Sequence, residues 1–480
     1  MALHIANFPW LSLLILMPIV GAGISLLVHP KVSRWAALAS NLIVLAIAIS
    51  IAIGFDPSLS GFQYVEKSLW IKTLNIHYFL GIDGISVLFL PATSLLFTAI
   101  IIASWNSIQN LRAVYFALLL LLEAAIIGVF TALDTIFFML FWETTLIPLY
   151  FLISLWGVGA NRRYAAAKYV LFMMSGGLAI LFAFVLLGIQ GDGSYLFDYS
   201  KLITLAKANP NETIIFFLLL FGFGVKTPLF PLHTWLPLLA QEGMPATVAT
   251  LVGFKIGAYG LLRFVIPLAP HTAHHFQGLL IGLGIIGVIY GAVAALSQTN
   301  IRRMLAYSSL SHVGMIVVGI ATFSLQGIQG ATFHLLNQVM VAGASFLLIG
   351  FLQQRIGSTD VAKLGGIAKT MPLMSAFFFF LVLANMGVPG TSTFPAEFLI
   401  IISIFKNHAG VGLAALFGIV LGAAYFLGIY RKAFLGECHN TAIANAIDLQ
   451  KHELLIILVI SIIILAFGLY PQWVLDTIKP

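Results

Sequence analysis

Fourteen continuous apolar runs, most of them about twenty residues long, leave this chain few folds to choose from. They lie near 9–28, 34–54, 84–104, 113–131, 133–156, 164–189, 212–240, 246–268, 276–297, 302–321, 327–352, 371–405, 409–430 and 453–475. A run of that length crosses a ~30 Å hydrocarbon layer as an α-helix, whereas a membrane barrel would show alternating segments of about ten residues. The expected fold class is therefore an all-α integral membrane protein with about 14 transmembrane helices. Composition agrees: 61% of the 480 residues are hydrophobic and 8% charged, too much apolar surface for a soluble domain to hide. A soluble enzyme, a disordered chain and a nucleic-acid binder are excluded.

The formal charge of +7 reads as topology rather than as an anionic ligand. Lys31, Arg34, Arg112, Arg162, Arg163, Arg302, Arg303, Arg355, Lys363, Lys369, Arg431 and Lys432 fall on one side when alternate loops are assigned to opposite faces. The positive-inside rule makes that side cytoplasmic and turns both termini outward. Residues 55–80 and 190–211 then read as long exposed outer connections. The stretch Met1 to Trp10 carries no basic n-region and no small-residue cleavage site follows, so a retained first helix is expected rather than a signal peptide. Cys438 is the single cysteine; alone it cannot form an internal disulfide, an iron–sulfur cluster or a structural zinc site. No phosphate-binding loop is visible, and the isolated Gly157-Val158-Gly159 is too weak a signal to count.

Two runs are interrupted. Val225-Lys226-Thr227-Pro228, with Pro231 and Pro237, breaks the seventh; Val388-Pro389-Gly390-Thr391-Ser392-Thr393-Phe394-Pro395 breaks the twelfth. Proline removes a backbone donor and clashes with the preceding turn, so each run should form two half-helices around an unwound segment. Irregular backbone at membrane depth survives only where protein or water covers it, and paired broken segments mark transporters built from repeats. Five helices separate the breaks, so two inverted five-helix repeats are expected, helices 4–8 and 9–13. The corresponding divisions are 1–112 (helices 1–3), 113–268 (first repeat), 269–430 (second repeat) and 431–480 (a connecting loop and helix 14).

Ionisable groups inside the runs carry the functional signal, since each costs about 2.5 to 3.5 kcal/mol at mid-bilayer. Glu123, Glu143, Lys168, Lys226 at the first break, Lys255, His312, His334 and Glu397 are such groups. Acid, amine and imidazole alternate along the chain, which suits a file of proton donors and acceptors. Glu143 and Lys226 form the natural pair, either a proton-loading switch or a salt bridge locking two helices. Ser308, Ser311 and His312 share one helical face, as do His334, Asn337 and Gln338; each stripe could hold water or merely join helices. Glu397 is placed in the first turn after the second break, with Thr391 or Thr393 as caps, and reads as a proton gate or as a capping charge. Asp134 reads as a helix cap and His233 as structural.

With these residues assembled, the protein resembles the antiporter-like membrane subunits of complex I. The resemblance rests on Leu80-Gly81-Ile82-Asp83-Gly84-Ile85-Ser86, on Phe141-Trp142-Glu143 through Leu155-Trp156-Gly157, and on Val225-Lys226-Thr227-Pro228 through His233-Thr234-Trp235-Leu236-Pro237. It rests also on Arg302-Arg303-Met304 through Ser311-His312 and on Pro389-Gly390-Thr391 to Glu397. It covers nearly the whole sequence and is nearest the M-type subunit, called subunit 4 in some complexes and the D-type subunit in photosynthetic forms. The long lateral helix of the L-type subunit is not expected after the last span. The resemblance implies inverted repeats with helices 7 and 12 broken, and one proton moved per cycle. Glu143, Lys226, Lys255 and Glu397 would be carriers, His312 a connecting group, and Glu123 and Lys168 supporting charges. It also implies no cofactor in this subunit, with quinone, iron–sulfur clusters and flavin on partner subunits. Its partners would be other membrane subunits, including neighbouring antiporter-like ones, and lipid.

Two departures stand out. The segment Leu238-Leu239-Ala240-Gln241-Glu242-Gly243-Met244-Pro245 is shortened against the family pattern, and the family's usual histidine on helix 11 aligns with Gln338, leaving His334 one turn earlier as a substitute. The stretch His408 to Gly436 and the opening Asn7-Phe8-Pro9-Trp10-Leu11 resemble cyanobacterial variants devoted to carbon dioxide uptake, implying ferredoxin, plastoquinone and a thylakoid location in place of a bacterial inner membrane. A multi-subunit cation/proton antiporter without a redox partner is the alternative, and a scaffold with an inactive channel is a third reading.

Overall fold

Each apolar run becomes helix, with bounds set by prolines, caps and charges. A computed structural model describes residues 8–189, 194–206, 209–438 and 440–478; Asn7 of the opening motif, and 190–193 and 207–208 of the outer connection, lie outside them. The first half contains Trp10–Leu27, Ser33–Gly54, Phe89–Ala103, Arg112–Thr131, Thr135–Thr144 continued by Leu146–Trp156, Arg162–Gly188, Glu212–Lys226 with Trp235–Glu242, and Pro245–Phe254 with Ile256–Gly260. The second contains Gln277–Leu296, Ile301–Ala321, Leu325–Ile356, Pro372–Asn385 with Thr393–Phe405, Ala409–Ala433 and Lys451–Leu469. Among the described residues, eleven helices are long and apolar enough to cross a membrane, and the chain is a multi-pass integral membrane protein.

Burial sorts the helices into a centre and a rim. The most apolar stretch of Leu325–Ile356 is 100% buried and that of Ile301–Ala321 94%, against 39% for Trp10–Leu27, Ser33–Gly54, Arg162–Gly188 and Ala409–Ala433. The rim helices show apolar side chains outward: Leu171, Met174, Leu178 and Phe182 form one exposed row at helical spacing, as lipid or a partner subunit requires. Inside, small residues let backbones approach. A side chain on Gly284 would meet the Gly314 carbonyl at 2.9 Å, and one on Gly291 the Ser311 amide at 2.7 Å, so Gln277–Leu296 and Ile301–Ala321 pack nearly backbone to backbone.

Both interrupted runs unwind where proline predicts. The seventh stops at Lys226 and resumes at Trp235; the twelfth stops at Asn385 and resumes at Thr393. The eighth also breaks, at Lys255, whose φ of 43° and ψ of 41° place a lysine in the left-handed region, followed by a π-helical turn at Leu261–Val265. No proline announces the break at Lys255.

Two expectations need correction. Residues 55–80 are not a simple exposed connection: Gln63–Ile71 and Ile76–Ile82 form an antiparallel hairpin, an addition to an otherwise helical fold. Its Glu66 accepts the Leu11 amide at 2.7 Å and that of Ser12 at 3.1 Å, satisfying donors that the first helix leaves free. Arg302, counted among the inner-loop charges, is 2% exposed and donates to Gln353 Oε1 at 2.7 Å and to the Gly243 carbonyl at 3.2 Å. It fastens the end of its helix from within.

Candidate functional site

Of the eight groups singled out in the sequence, Glu123, Lys226, Lys255, His312, His334 and Glu397 are buried, and Glu143 and Lys168 are half-buried. None is displayed fully on the lipid-facing rim.

The first group gathers around the first break. Lys226, the last residue of its half-helix, donates to Thr145 Oγ1 at 2.9 Å and lies 3.9 Å from the centre of the Trp142 ring. Thr145 sits at a kink between Thr135–Thr144 and Leu146–Trp156, and Pro148 three residues on cannot donate to the Thr144 carbonyl. Glu143 precedes this kink and reaches toward Gly177, where any side chain would collide with its carboxylate. The expected Glu143–Lys226 pair is not closed: among the described residues no ion pair joins them within 4.0 Å, because the ammonium is held by hydroxyl and aromatic face, a cation–π arrangement. Lys168 lies nearby, its Nζ donating to the Thr234 carbonyl at 3.3 Å at the far end of the break.

The second group is Lys255. Its Nζ donates to the Val252 carbonyl at 2.7 Å and to Ser309 Oγ. The left-handed backbone costs of order 1–3 kcal/mol and ends the helix beneath the amine. A side chain on Gly257 would run into the backbone at Thr227, so this break abuts the first. Ser309 and His312 are three residues apart on one helix and share a face, leading to the third group.

There His312 Nδ1 lies 3.5 Å from Glu397 Oε1, His334 Nε2 lies 3.9 Å from the same oxygen, and the two imidazole centroids are 5.4 Å apart. Gly387, with φ of 68° in the second break, clears the space: a side chain there would stand 2.6 Å from Glu397 Oε2. Glu397 is four residues into Thr393–Phe405 rather than in its first turn, and neither threonine caps it. Thr391 Oγ1 donates to the Val388 carbonyl and Thr393 Oγ1 accepts from Asn337 Nδ2 at 2.7 Å. Asn337 thereby ties the long helix to the break, while Ser308 accepts from the Tyr425 hydroxyl at 2.9 Å. Gln338 is fully buried and its polar atoms find no partner among the described residues.

Other expectations fall beside these groups. Glu123 is bonded to Asn41 Nδ2 at 2.7 Å, a contact with the second helix. Asp134 caps its helix through the amides of Ile136 and Phe137, and His233 stacks on Phe230 and meets Tyr290 edge-on. The segment Leu238 to Pro245 runs from Trp235–Glu242 directly into Pro245–Phe254, and its Glu242 accepts the Asn161 amide at 2.7 Å. Sequence reasoning missed Thr145, Ser309 and Tyr425, whose hydroxyls are unremarkable in an apolar helix. It also missed Arg263, buried in an ion pair with Asp83 of the Leu80–Ser86 motif.

Residues 132–422 match the family model described as NADH:quinone oxidoreductase/Mrp antiporter, transmembrane. NADH-quinone oxidoreductase subunit M of Rickettsia prowazekii (strain Madrid E) is 34% identical over 98% of this chain and 97% of its own length. The same-named protein of Mycobacterium tuberculosis (strain CDC 1551 / Oshkosh) is 35% identical over 99% and 93%. A chain of respiratory complex I from Thermus thermophilus with bound NADH superposes with a TM-score of 0.88 at 27% identity, covering 97% of each chain. A chain of the Mrp complex from Dietzia sp. DQ12-45-1b shares the fold with a TM-score of 0.86 at 23% identity, covering 98% of this chain and 96% of the other.

Proposed function

The chain belongs to the NADH:quinone oxidoreductase/Mrp antiporter transmembrane family, and from that membership we propose that it is the proton-translocating, antiporter-like membrane subunit of a quinone-reducing dehydrogenase. It works beside other membrane subunits, while electron transfer from NADH to quinone takes place on partner chains that carry flavin and iron–sulfur clusters. The observation that carries this reading is the sequence of buried amine, imidazole and carboxylate groups: Lys226 on Thr145, Lys255 on Ser309, and His312 with His334 on Glu397. Glu143 loads the first amine when the Lys226–Thr145 contact opens, and Glu397 delivers the proton beyond the second break. Glu123 and Lys168 set the field around this file, and His334 stands in for the imidazole that Gln338 lacks. The carriers divide between units 113–268 and 269–430, a break in each, with 1–112 and 431–480 as flanking helices.

Reconstituted complex carrying Lys226→Ala or Glu143→Ala should assemble, transfer electrons and lose most of its proton pumping. An unchanged proton-to-electron ratio in both variants would defeat the proposal. The matching family, whose description also names the Mrp antiporter, supports a second reading, a cation/proton antiporter without a redox partner. Isolation in mild detergent separates the two: flavin- or cluster-bearing chains accompany the dehydrogenase subunit and are absent from an antiporter. Co-isolation with a ferredoxin-binding partner instead of an NADH-oxidising one would assign the photosynthetic carbon dioxide-uptake form.

A further inference from the structure

His312, His334 and Glu397 come from three separate helices, yet one donor atom of each lies within 4.8 Å of the others. Both nitrogens of His334 and Nε2 of His312 find no hydrogen-bond partner among the described residues, although His334 is 0% exposed and His312 7%. A buried imidazole with two unpaired nitrogens is costly, and a cation at Nε2 relieves one of the two by taking its lone pair. Against the carboxylate and His312 lies a cavity of ≈ 20 Å³, lined also by Ser311, Asn385 and Tyr425, which is room for one small occupant. We propose that these three side chains form a binding site for a divalent transition-metal ion of the zinc class.

The donor set favours a transition metal over an alkaline-earth ion. Two imidazoles and one carboxylate suit zinc, which takes nitrogen at ~2.0–2.1 Å in tetrahedral array, whereas magnesium and calcium call for oxygen ligands. Neighbouring ligands in such an array stand about 3.3 Å apart. The two carboxylate–imidazole pairs, at 3.5 and 3.9 Å, are near that spacing, and the two imidazole nitrogens, within 4.8 Å of each other, must draw together to complete it. Three protein ligands leave a fourth position, and the cavity adjoins two of the three, His312 and Glu397. Bound there, the ion would occupy the lone pairs that proton transfer between His312, His334 and Glu397 needs. That it would arrest pumping rests on the function proposed above; the binding itself does not.

The test uses the intact complex, stripped with chelator, loaded with zinc chloride and freed of excess. Wild-type complex should hold one zinc more than His334→Ala or Glu397→Gln complex. Magnesium in hundred-fold excess should not displace it, and anomalous scattering at the zinc edge should place the ion among the three side chains. Equal zinc content in wild type and in variants that assemble would overturn the site. So would the absence of zinc density among these residues in loaded wild type, which decides the question even if every variant fails to assemble. Because both readouts are binding measurements, they stand or fall separately from proton pumping.

Discussion

At the residue scale, the titratable carriers could be read from sequence because a charge inside an apolar run is expensive and needs a reason. Their partners could not. Thr145, Ser309 and Gly177 are residue types that membrane helices use freely for packing, and only the assembled helices show a hydroxyl beneath the Lys226 and Lys255 ammoniums and a glycine opposite Glu143. Gly177 yields a direct prediction. It sits in mid-helix with ordinary backbone angles, where alanine is favoured over glycine by up to about 1 kcal/mol, so Gly177→Ala should not weaken the helix itself. Its methyl group, however, occupies the place of the Glu143 carboxylate and forces that side chain to another rotamer. Gly177→Ala should therefore assemble, yet show a clearly reduced proton-to-electron ratio although no titratable group is lost. Gly278→Ala, with nothing within 4 Å of the added carbon, should pump normally. Equal pumping in the two variants would show that the position of Glu143 does not matter.

At the element scale, proline made two of the three backbone breaks legible. The third, at Lys255, was hidden because nothing in Gly253-Phe254-Lys255-Ile256-Gly257 forbids a helix; contact with the first break and the anchoring of Nζ to Val252 and Ser309 accompany the left-handed conformation. The usual helix preference should then be inverted at this position. In a regular helix alanine exceeds glycine by about 1 kcal/mol, but a left-handed site penalises any Cβ by roughly 1–2 kcal/mol. Lys255→Gly complex should accordingly melt at a higher temperature than Lys255→Ala complex, with both lacking the amine. Thermal unfolding followed in detergent, with the two variants side by side, checks the order; a more stable alanine variant would mean that the strain is absent.

For the whole molecule, apolar runs gave the helices and basic loops gave the expected sidedness, but long-range ties between outer segments left no mark in any one stretch of sequence. The hairpin illustrates why. Its strand residues look like a polar connection until they meet their partners: the His77 amide donates to Asp134 at 3.0 Å, and Lys67 reaches Asp198 at 2.6 Å, 131 positions away. These ties lie opposite the basic loops and bind the first three helices to the connection between the sixth and seventh. Burial by itself would push the Asp198 carboxyl up, but hydrogen bonds from Lys67 and Ser200, the Lys67 charge and the Lys201 amide together hold it below the usual carboxylate value. A group depressed in the folded state contributes stability that is fully present above its unfolded pKa of about 3.9 and is lost as pH falls through the lower folded value. The hairpin should stay docked through mildly acidic conditions and loosen only below the ordinary aspartate range. Hydrogen exchange of Gln63–Ile71, corrected for the intrinsic acid dependence, should rise in that window for the natural protein. In Asp198→Asn, which has no carboxylate to protonate, exchange should already be raised at neutral pH and show no such step. A step of the same size in both would assign the acid sensitivity to another group.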